Sequence, residues 1–190
     1  MLLRSTAYFE NCKISDIQAE TGHLDYSHMF TVKAGFSDDI EVRSGIDEVR
    51  KFFSDVTNFA ELMPGVDHIH VDAKGVAHWK VQTEIPVVGP ILQKFALELA
   101  ENSEDRIEWS PVRTEAENFL RYSADFLEKA KNVTLVHFSQ VVELRRRSAR
   151  DLHLLAGLAG ESLISNEMTK RITEMIRVFI DKAKERLEKS

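Results

Sequence analysis

Apolar residues recur every three or four positions through residues 46–63, and the stretch stops at Pro64-Gly65. Because positions three and four apart share one face of a helix, this stripe predicts helical structure with a buried face. Residues 55–58 favour non-helical backbone, so we expect a break into two short helices. Ser44 followed by Asp47 matches a capping box, which predicts the start of the first helix.

Apolar and polar residues alternate on both sides of this stretch, which is the period of a strand with one buried face. Residues 30–42 predict the first strand. Placing Ile69 opposite Trp79 leaves a three-residue loop that ends in Gly75, and glycine suits the left-handed position of such a hairpin. The same parity closes a second hairpin around residues 130–132, where asparagine takes the left-handed position.

The pattern returns to a helical period at the end of the chain, from about residue 165 to residue 189. At ~1.5 Å per residue this helix is about 37 Å long, which is enough to cross a small sheet. We expect it to lie on the concave side of the sheet with one stripe inward: Met168, Ile172, Met175, Ile176, Phe179, Ala183 and Leu187.

This order of elements resembles the helix-grip fold of the START-related (SRPBCC) superfamily over residues 30–187. The most specific segment is residues 48–66, which is similar to the helix-Asp-helix-Pro-Gly segment of polyketide cyclase/dehydrase-like and carbon monoxide dehydrogenase subunit-like members. Residues 133–138 are similar to a late strand of these proteins. The departures from the pattern are the residues before Phe30 and the low glycine content near residues 152–162.

The resemblance implies an α+β fold in which a curved antiparallel sheet of about six to seven strands surrounds a long C-terminal helix, with two short helices after the first strand. It also implies a cavity between sheet and helix that holds a lipid, quinone, polyketide or aromatic compound. We therefore expect a START-like ligand-binding domain over residues 28–190 and an N-terminal extension, residues 1–27, whose structure the sequence does not predict.

Composition limits the partners and the compartment. The chain has 190 residues with 25 Lys plus Arg and 31 Asp plus Glu, and a net charge of -6 argues against nucleic acid as a partner. Its one cysteine, Cys12, cannot form an internal disulfide, which favours a reducing compartment. Without a signal-peptide core or a long apolar run, we expect a cytoplasmic protein with no stable membrane insertion. A homodimer stays open.

Twelve residues on the inward faces are candidates to contact the ligand, because apolar pockets with a few polar groups are the usual small-molecule sites. For each, packing in a filled core is the competing interpretation. The candidates are Trp79, Val81, Thr83, Phe95, Leu97, Trp109, Tyr122, Phe126, Phe138, Gln140, Met175 and Phe179.

Three histidines, His68, His70 and His78, fall on the outer face of the first hairpin, where their spacing could bind zinc. No fourth ligand is fixed by the sequence, and exposed histidines on a polar sheet face are common, so we predict no metal and no cofactor. His137 and His153 could act as an acid or base, but neither has a partner that the sequence fixes.

The sequence therefore favours a protein that binds or transports an apolar small molecule, with no catalytic residue assigned. One alternative is a cyclase or dehydratase in which Tyr122, the best placed ionisable group, moves protons in the same cavity. Another is a partner-binding assembly factor, which an exposed apolar patch beside Leu154 and Leu158 would favour. Nucleotide, serine-hydrolase and zinc-protease motifs are absent from the chain.

Overall fold

A seven-stranded antiparallel sheet forms the body of the protein and packs against one long helix. This computed structural model describes residues 29–86 and 88–189, so the extension predicted at residues 1–27 lies outside the described residues. The elements, in chain order, are β1 Phe30–Val42, α1 Ile46–Ser54, α2 Thr57–Leu62, β2 Val66–Val71, β3 Ala77–Ile85, β4 Gly89–Asn102, β5 Arg106–Pro111, β6 Asn118–Ala130, β7 Val133–Arg146, α3 Ala156–Ala159 and α4 Glu161–Glu188.

The strand order is β1-β7-β6-β5-β4-β3-β2, so the sheet follows the chain from β2 to β7 and places β1 beside β7. The chain travels from one sheet edge to the other through α1 and α2, which connect β1 to β2. The helix-grip fold predicted from the order of patterns is confirmed.

The break between the two short helices lies where the sequence predicts it. Asp55 adopts extended backbone after α1, and its Oδ1 accepts hydrogen bonds from the amide of Thr57 at 2.9 Å and from the Thr57 hydroxyl at 2.6 Å. A carboxylate that bonds backbone two residues ahead forms a turn that competes with a continuous helix. Asp55 therefore ends α1 and starts α2.

The predicted capping box at Ser44 is wrong. Gly45 occupies the capping position of α1 and brings no side chain to it, and the Ser44 hydroxyl donates to Glu48 Oε2 at 2.9 Å. The Ser44 carbonyl accepts a hydrogen bond from the buried Thr134 hydroxyl at 2.9 Å. Ser44 is therefore held at the end of β1, one residue too early to cap the helix.

Both hairpin registers are confirmed, because Ile69 pairs with Trp79 and Tyr122 pairs with Gln140. Gly75 has a φ of 81° and Asn132 a φ of 57°, so each of these residues takes the left-handed conformation that its turn requires. A bulge next to Ala130 completes the second turn.

The terminal helix begins four residues earlier than predicted, at Glu161, and its 28 residues are about 42 Å long. Its Phe179 ring lies on the inner face of the sheet, 6.1 Å from the Phe138 ring of β7. Met175 is only half-buried, and Ile164 and Ile180 extend the predicted stripe. In the described part of the chain, no helix is both long and apolar enough to cross a membrane.

Gly65 sits where α2, β3 and α4 approach one another most closely. Its φ is 82°, and a Cβ there would lie 2.6 Å from the carbonyl oxygen of Gln82 and 2.9 Å from Met175 Cε. The Gly65 carbonyl also accepts a hydrogen bond from the Gln82 amide at 2.7 Å. Only glycine combines this backbone conformation with this approach.

We expect Gly65→Ala to lower the free energy of unfolding by about 2 to 3 kcal/mol, because it adds a backbone clash to left-handed strain. Gly75→Ala is the matched control, since Gly75 has a φ of 81° but no described atom within 4 Å of its Cβ position. Urea denaturation of both variants checks this. Equal losses would contradict the clash at Gly65.

Asp72 organises the first hairpin through both carboxylate oxygens. Oδ1 accepts hydrogen bonds from the amides of Lys74 at 2.8 Å and Val76 at 3.0 Å, and Oδ2 lies 3.0 Å from His78 Nε2. The His78 hydrogen bond, followed by those of the backbone, lowers the pKa of Asp72 from 3.8 to about 2.

A lowered folded-state pKa means that ionised Asp72 stabilises the hairpin above pH 3.8 and that this contribution disappears as the pH falls towards 2. Carboxyl-carbon NMR should give a titration midpoint near 2 for Asp72 in the wild-type protein. We expect His78→Ala to move the midpoint upward. An unchanged midpoint would show that the imidazole does not cause the shift.

Candidate ligand-binding cavity

A small cavity lies between the inner face of the sheet and the N-terminal half of α4. The volume open to the centre of a water-sized sphere is about 30 Å³, within about 450 Å³ of atom-free space that includes open solvent. In this conformation the cavity has room for about two water molecules. A ligand of ordinary size therefore requires side chains to move apart.

Six of the twelve predicted contact residues line this cavity, and they come from β3, β4, β7 and α4. They are Trp79, Val81, Thr83, Phe95, Gln140 and Met175. Eight further lining residues were missed by sequence reasoning: Met63, Gln93, Leu120, Val142, Leu144, Met168, Ile172 and Ile176. The helical stripe already indicated that Met168, Ile172 and Ile176 face inward, but it could not indicate which part of α4 lies beside open space.

The other six predicted residues lie outside the cavity lining, buried in the core of the protein. They are Leu97, Trp109, Tyr122, Phe126, Phe138 and Phe179. Phe59 of α2 contacts part of this group directly, with ring centroids 4.1 Å from Phe179 and 4.7 Å from Tyr122. Because α1 and α2 insert Phe53 and Phe59 here, side chains fill this end of the grip.

The cavity wall is apolar with a few uncharged polar groups. Trp79 Nε1 and Gln140 Oε1 are buried, and neither has a hydrogen-bond partner among the described residues. Leaving a buried polar atom unpaired costs about 1 to 3 kcal/mol. The wall therefore presents one donor and one acceptor that a bound molecule could satisfy.

The described residues that line the cavity include no acid, base or other ionisable side chain. Tyr122, the predicted proton donor, does not line it, and its buried hydroxyl has no partner among the described residues. Burial, and secondarily the charge of Asp55, raises the pKa of Tyr122 well above its usual value. The phenol therefore stays neutral, and the wall provides binding groups rather than proton transfer.

Methionine side chains separate the cavity from the surface. Met175 and Thr83 line both the cavity and a shallow outer groove of about 470 Å³ that also contacts Pro64 and Gly65. Met63 and Met168 add two more flexible thioethers to the wall. Since methionine has three rotatable side-chain bonds, Met175 is the barrier that moves at the lowest cost.

The histidines lie away from the cavity. His68, His70 and His78 are exposed on the outer face, with His70 opposite His78 as the register predicts. Within residues 29–86 and 88–189, no three His, Cys, Asp or Glu side chains are placed to hold a metal ion. His153 is half-buried and accepts a hydrogen bond from the Leu155 amide at 3.3 Å.

His137 has a closer set of partners, 2.6 Å from Asp39 Oδ1 and 3.3 Å from the Ser37 hydroxyl. This order resembles a catalytic triad, but the three side chains are exposed on the outer face of the sheet. The cavity residues of the same strand, Gln140 and Val142, have the opposite parity. We therefore interpret the His137 contacts as a surface hydrogen-bond network that joins β1 to β7.

No protein-family model matches this sequence, and no curated protein matches it significantly. Solved structures are similar in fold. The di-domain ARO/CYC protein BexL, from the BE-7585A biosynthetic pathway, is 16% identical with a TM-score of 0.54, over 83% of this chain and 50% of its own. The di-domain ARO/CYC protein StfQ, from the steffimycin biosynthetic pathway, is 10% identical with a TM-score of 0.55, over 83% and 51%.

This chain thus spans about half the length of these two di-domain proteins. It matches nearly all of a shorter structure, the Zhui aromatase/cyclase from a Streptomyces species, at 11% identity and a TM-score of 0.53, over 81% of this chain and 95% of that one. Identities this low establish the fold alone. The protein has the helix-grip fold of START-related, polyketide cyclase-like structures.

Proposed function

We propose that this protein binds an apolar small molecule between the sheet and α4 and carries or presents it. The observation that carries this proposal is a wall of apolar side chains that holds two buried, unpaired polar atoms, Trp79 Nε1 and Gln140 Oε1, neither of which has a partner among the described residues. A ligand hydroxyl or amide that pairs with these atoms would remove their desolvation cost. Burial of the ligand would then add a hydrophobic contribution.

The energetics of such binding are favourable once the cavity opens. Burying about 300 Å² of ligand apolar surface at roughly 25 cal/mol per Å² gives about 7 kcal/mol, before the costs of association. Movement of the Met175 side chain would join the cavity to the outer groove, because both contain this residue and Thr83. No covalent step is required for this role.

Catalysis is the less supported alternative. Proteins of similar fold are named aromatase/cyclases, but proton transfer requires an ionisable group within hydrogen-bond reach of the substrate. The lining residues described above offer none. The uncharged wall and the neutral Tyr122 therefore favour a binding protein, and the single cysteine fits a cytoplasmic location.

A partner-binding role has one observation in its favour. Leu154 is 78% exposed and Leu158 is 79% exposed, next to the short helix α3 that precedes α4. Exposed leucines this close together are typical of an interaction surface. Such a surface would add a docking function to the proposed ligand carrier.

Adjacent residues of β7 offer a matched test of the cavity. Val142 is 5% exposed and lines the cavity, whereas Val141 is 43% exposed and points outward. We expect Val142→Phe to weaken the binding of Nile red, a neutral apolar dye, by about ten-fold, because the added ring occupies the ligand volume.

Val141→Phe makes the same change on the opposite face and should leave the dye affinity unchanged. Fluorescence titration gives the affinities, and circular dichroism verifies that both variants are folded. Equal affinities for wild type and Val142→Phe would place the dye outside the cavity and contradict the proposed site.

Gln140 should stabilise a ligand complex at the expense of the empty protein. We expect Gln140→Met to raise the free energy of unfolding by about 1 kcal/mol, and Tm by about 2 to 4 °C, because it replaces a buried oxygen that lacks a described partner with a side chain of similar shape. Calorimetry measures this change. Gln82→Met, at an exposed position of β3, is the control and should leave Tm unchanged. A lower Tm for Gln140→Met would show that the oxygen is satisfied.

A further inference from the structure

We infer that the ligand carries a carboxylate, which lies beside Gln93 at the end of the cavity where Arg146 places a buried positive charge. This inference rests on the proposed ligand-binding function and names the chemical class of the ligand. It assigns Gln93 as a contact residue and Arg146 as a positioning and charge-supplying residue.

The guanidinium of Arg146 is unusually enclosed for a surface-strand terminus, since its side chain is 10% exposed. Nη2 donates to Gln93 Oε1 at 2.5 Å and to Asn118 Oδ1 at 2.6 Å. Nη1 donates to the main-chain oxygens of Arg145 at 2.6 Å and Glu117 at 3.2 Å. All four acceptors are uncharged, so they satisfy its hydrogen bonds and leave its charge.

One carboxylate lies near the guanidinium among the described residues, and it is a weak counter-ion. Glu117 Oε2 is 3.9 Å from Arg146 Nη1, and the Glu117 side chain is 70% exposed. Solvent and salt screen a charge in that position. A buried cation is ordinarily paired with a close carboxylate, because its desolvation is costly. Arg146 therefore keeps most of its positive potential.

The position of Arg146 directs this potential into the cavity. Gln140, Val142 and Leu144 are alternate residues of β7 that line the wall, and Arg146 is the next residue of that parity. Gln93, from β4, lines the cavity and also contacts the guanidinium. The charge thus lies directly behind the wall.

The amide of Gln93 transmits this polarity. A guanidinium has donors and no acceptor, so it fixes the oxygen of Gln93 towards Arg146. The amide nitrogen, on the other branch of the same group, is directed away from the cation and can donate to a ligand. One donor backed by one cation suits a singly charged carboxylate. A phosphate dianion would need more donors than these residues supply.

The test compares two probes of the same chain length, dodecanoic acid and 1-dodecanol, by displacement of Nile red at neutral pH. We expect wild-type protein to bind the acid about ten-fold more tightly than the alcohol. Arg146→Gln should abolish this preference, and Arg146→Lys should retain part of it. Arg147→Gln removes the same charge from an exposed neighbour and should preserve the preference.

Each outcome separates the two proposals. Equal affinities for acid and alcohol would overturn the carboxylate assignment and leave the ligand-binding function intact, whereas failure to bind dye, acid and alcohol would overturn both. Loss of the preference in Arg147→Gln would overturn the assignment in favour of general surface charge. If Arg146→Gln does not fold, Gln93→Met decides, because the assignment requires that this variant also loses the preference.

Discussion

The stacking of Phe59 on Phe179 is the contact on which the architecture depends. These rings, from α2 and α4, lie 4.1 Å apart at an interplanar angle of 15°, and Tyr122 and Trp79 approach the same Phe59 ring at 4.7 and 5.2 Å. The contact fixes α4 against the short helices and fills one end of the space inside the sheet. Among the described residues, the other end of α4 has no comparable helix above it, so the cavity forms there.

This asymmetry explains how one inner face serves both stability and binding. At the filled end, aromatic rings interlock and the Tyr122 hydroxyl is buried in its neutral form. At the open end, most side chains are aliphatic or methionine, and Gln93 and Gln140 interrupt them. Aliphatic and methionine side chains can move apart without breaking aromatic stacks, which localises any opening to the Met175 side of α4. A stable core thus supports a compliant pocket.

The sequence predicted the parts of this arrangement that depend on local pattern. The parity of Ile69 and Trp79, the left-handed glycine and asparagine and the apolar stripe of α4 each follow from residues close in the chain, and the structure confirms them. The division between filled core and cavity depends on how far α2 reaches across the sheet. That distance is a tertiary property, so Phe138 and Phe179 were indistinguishable from Val81 and Met175 in the pattern.

The charge on Arg146 was similarly hidden, because a run of three arginines at a strand end ordinarily indicates a solvated terminus. Its burial depends on Gln93 and Asn118, which are remote in sequence and meet it only across the sheet. Native mass spectrometry of gently purified protein tests the central claim most directly. The account predicts an additional mass from an apolar molecule, which solvent extraction removes. Detection of the bare chain alone, after incubation with excess dodecanoic acid and lipid extract, would contradict it.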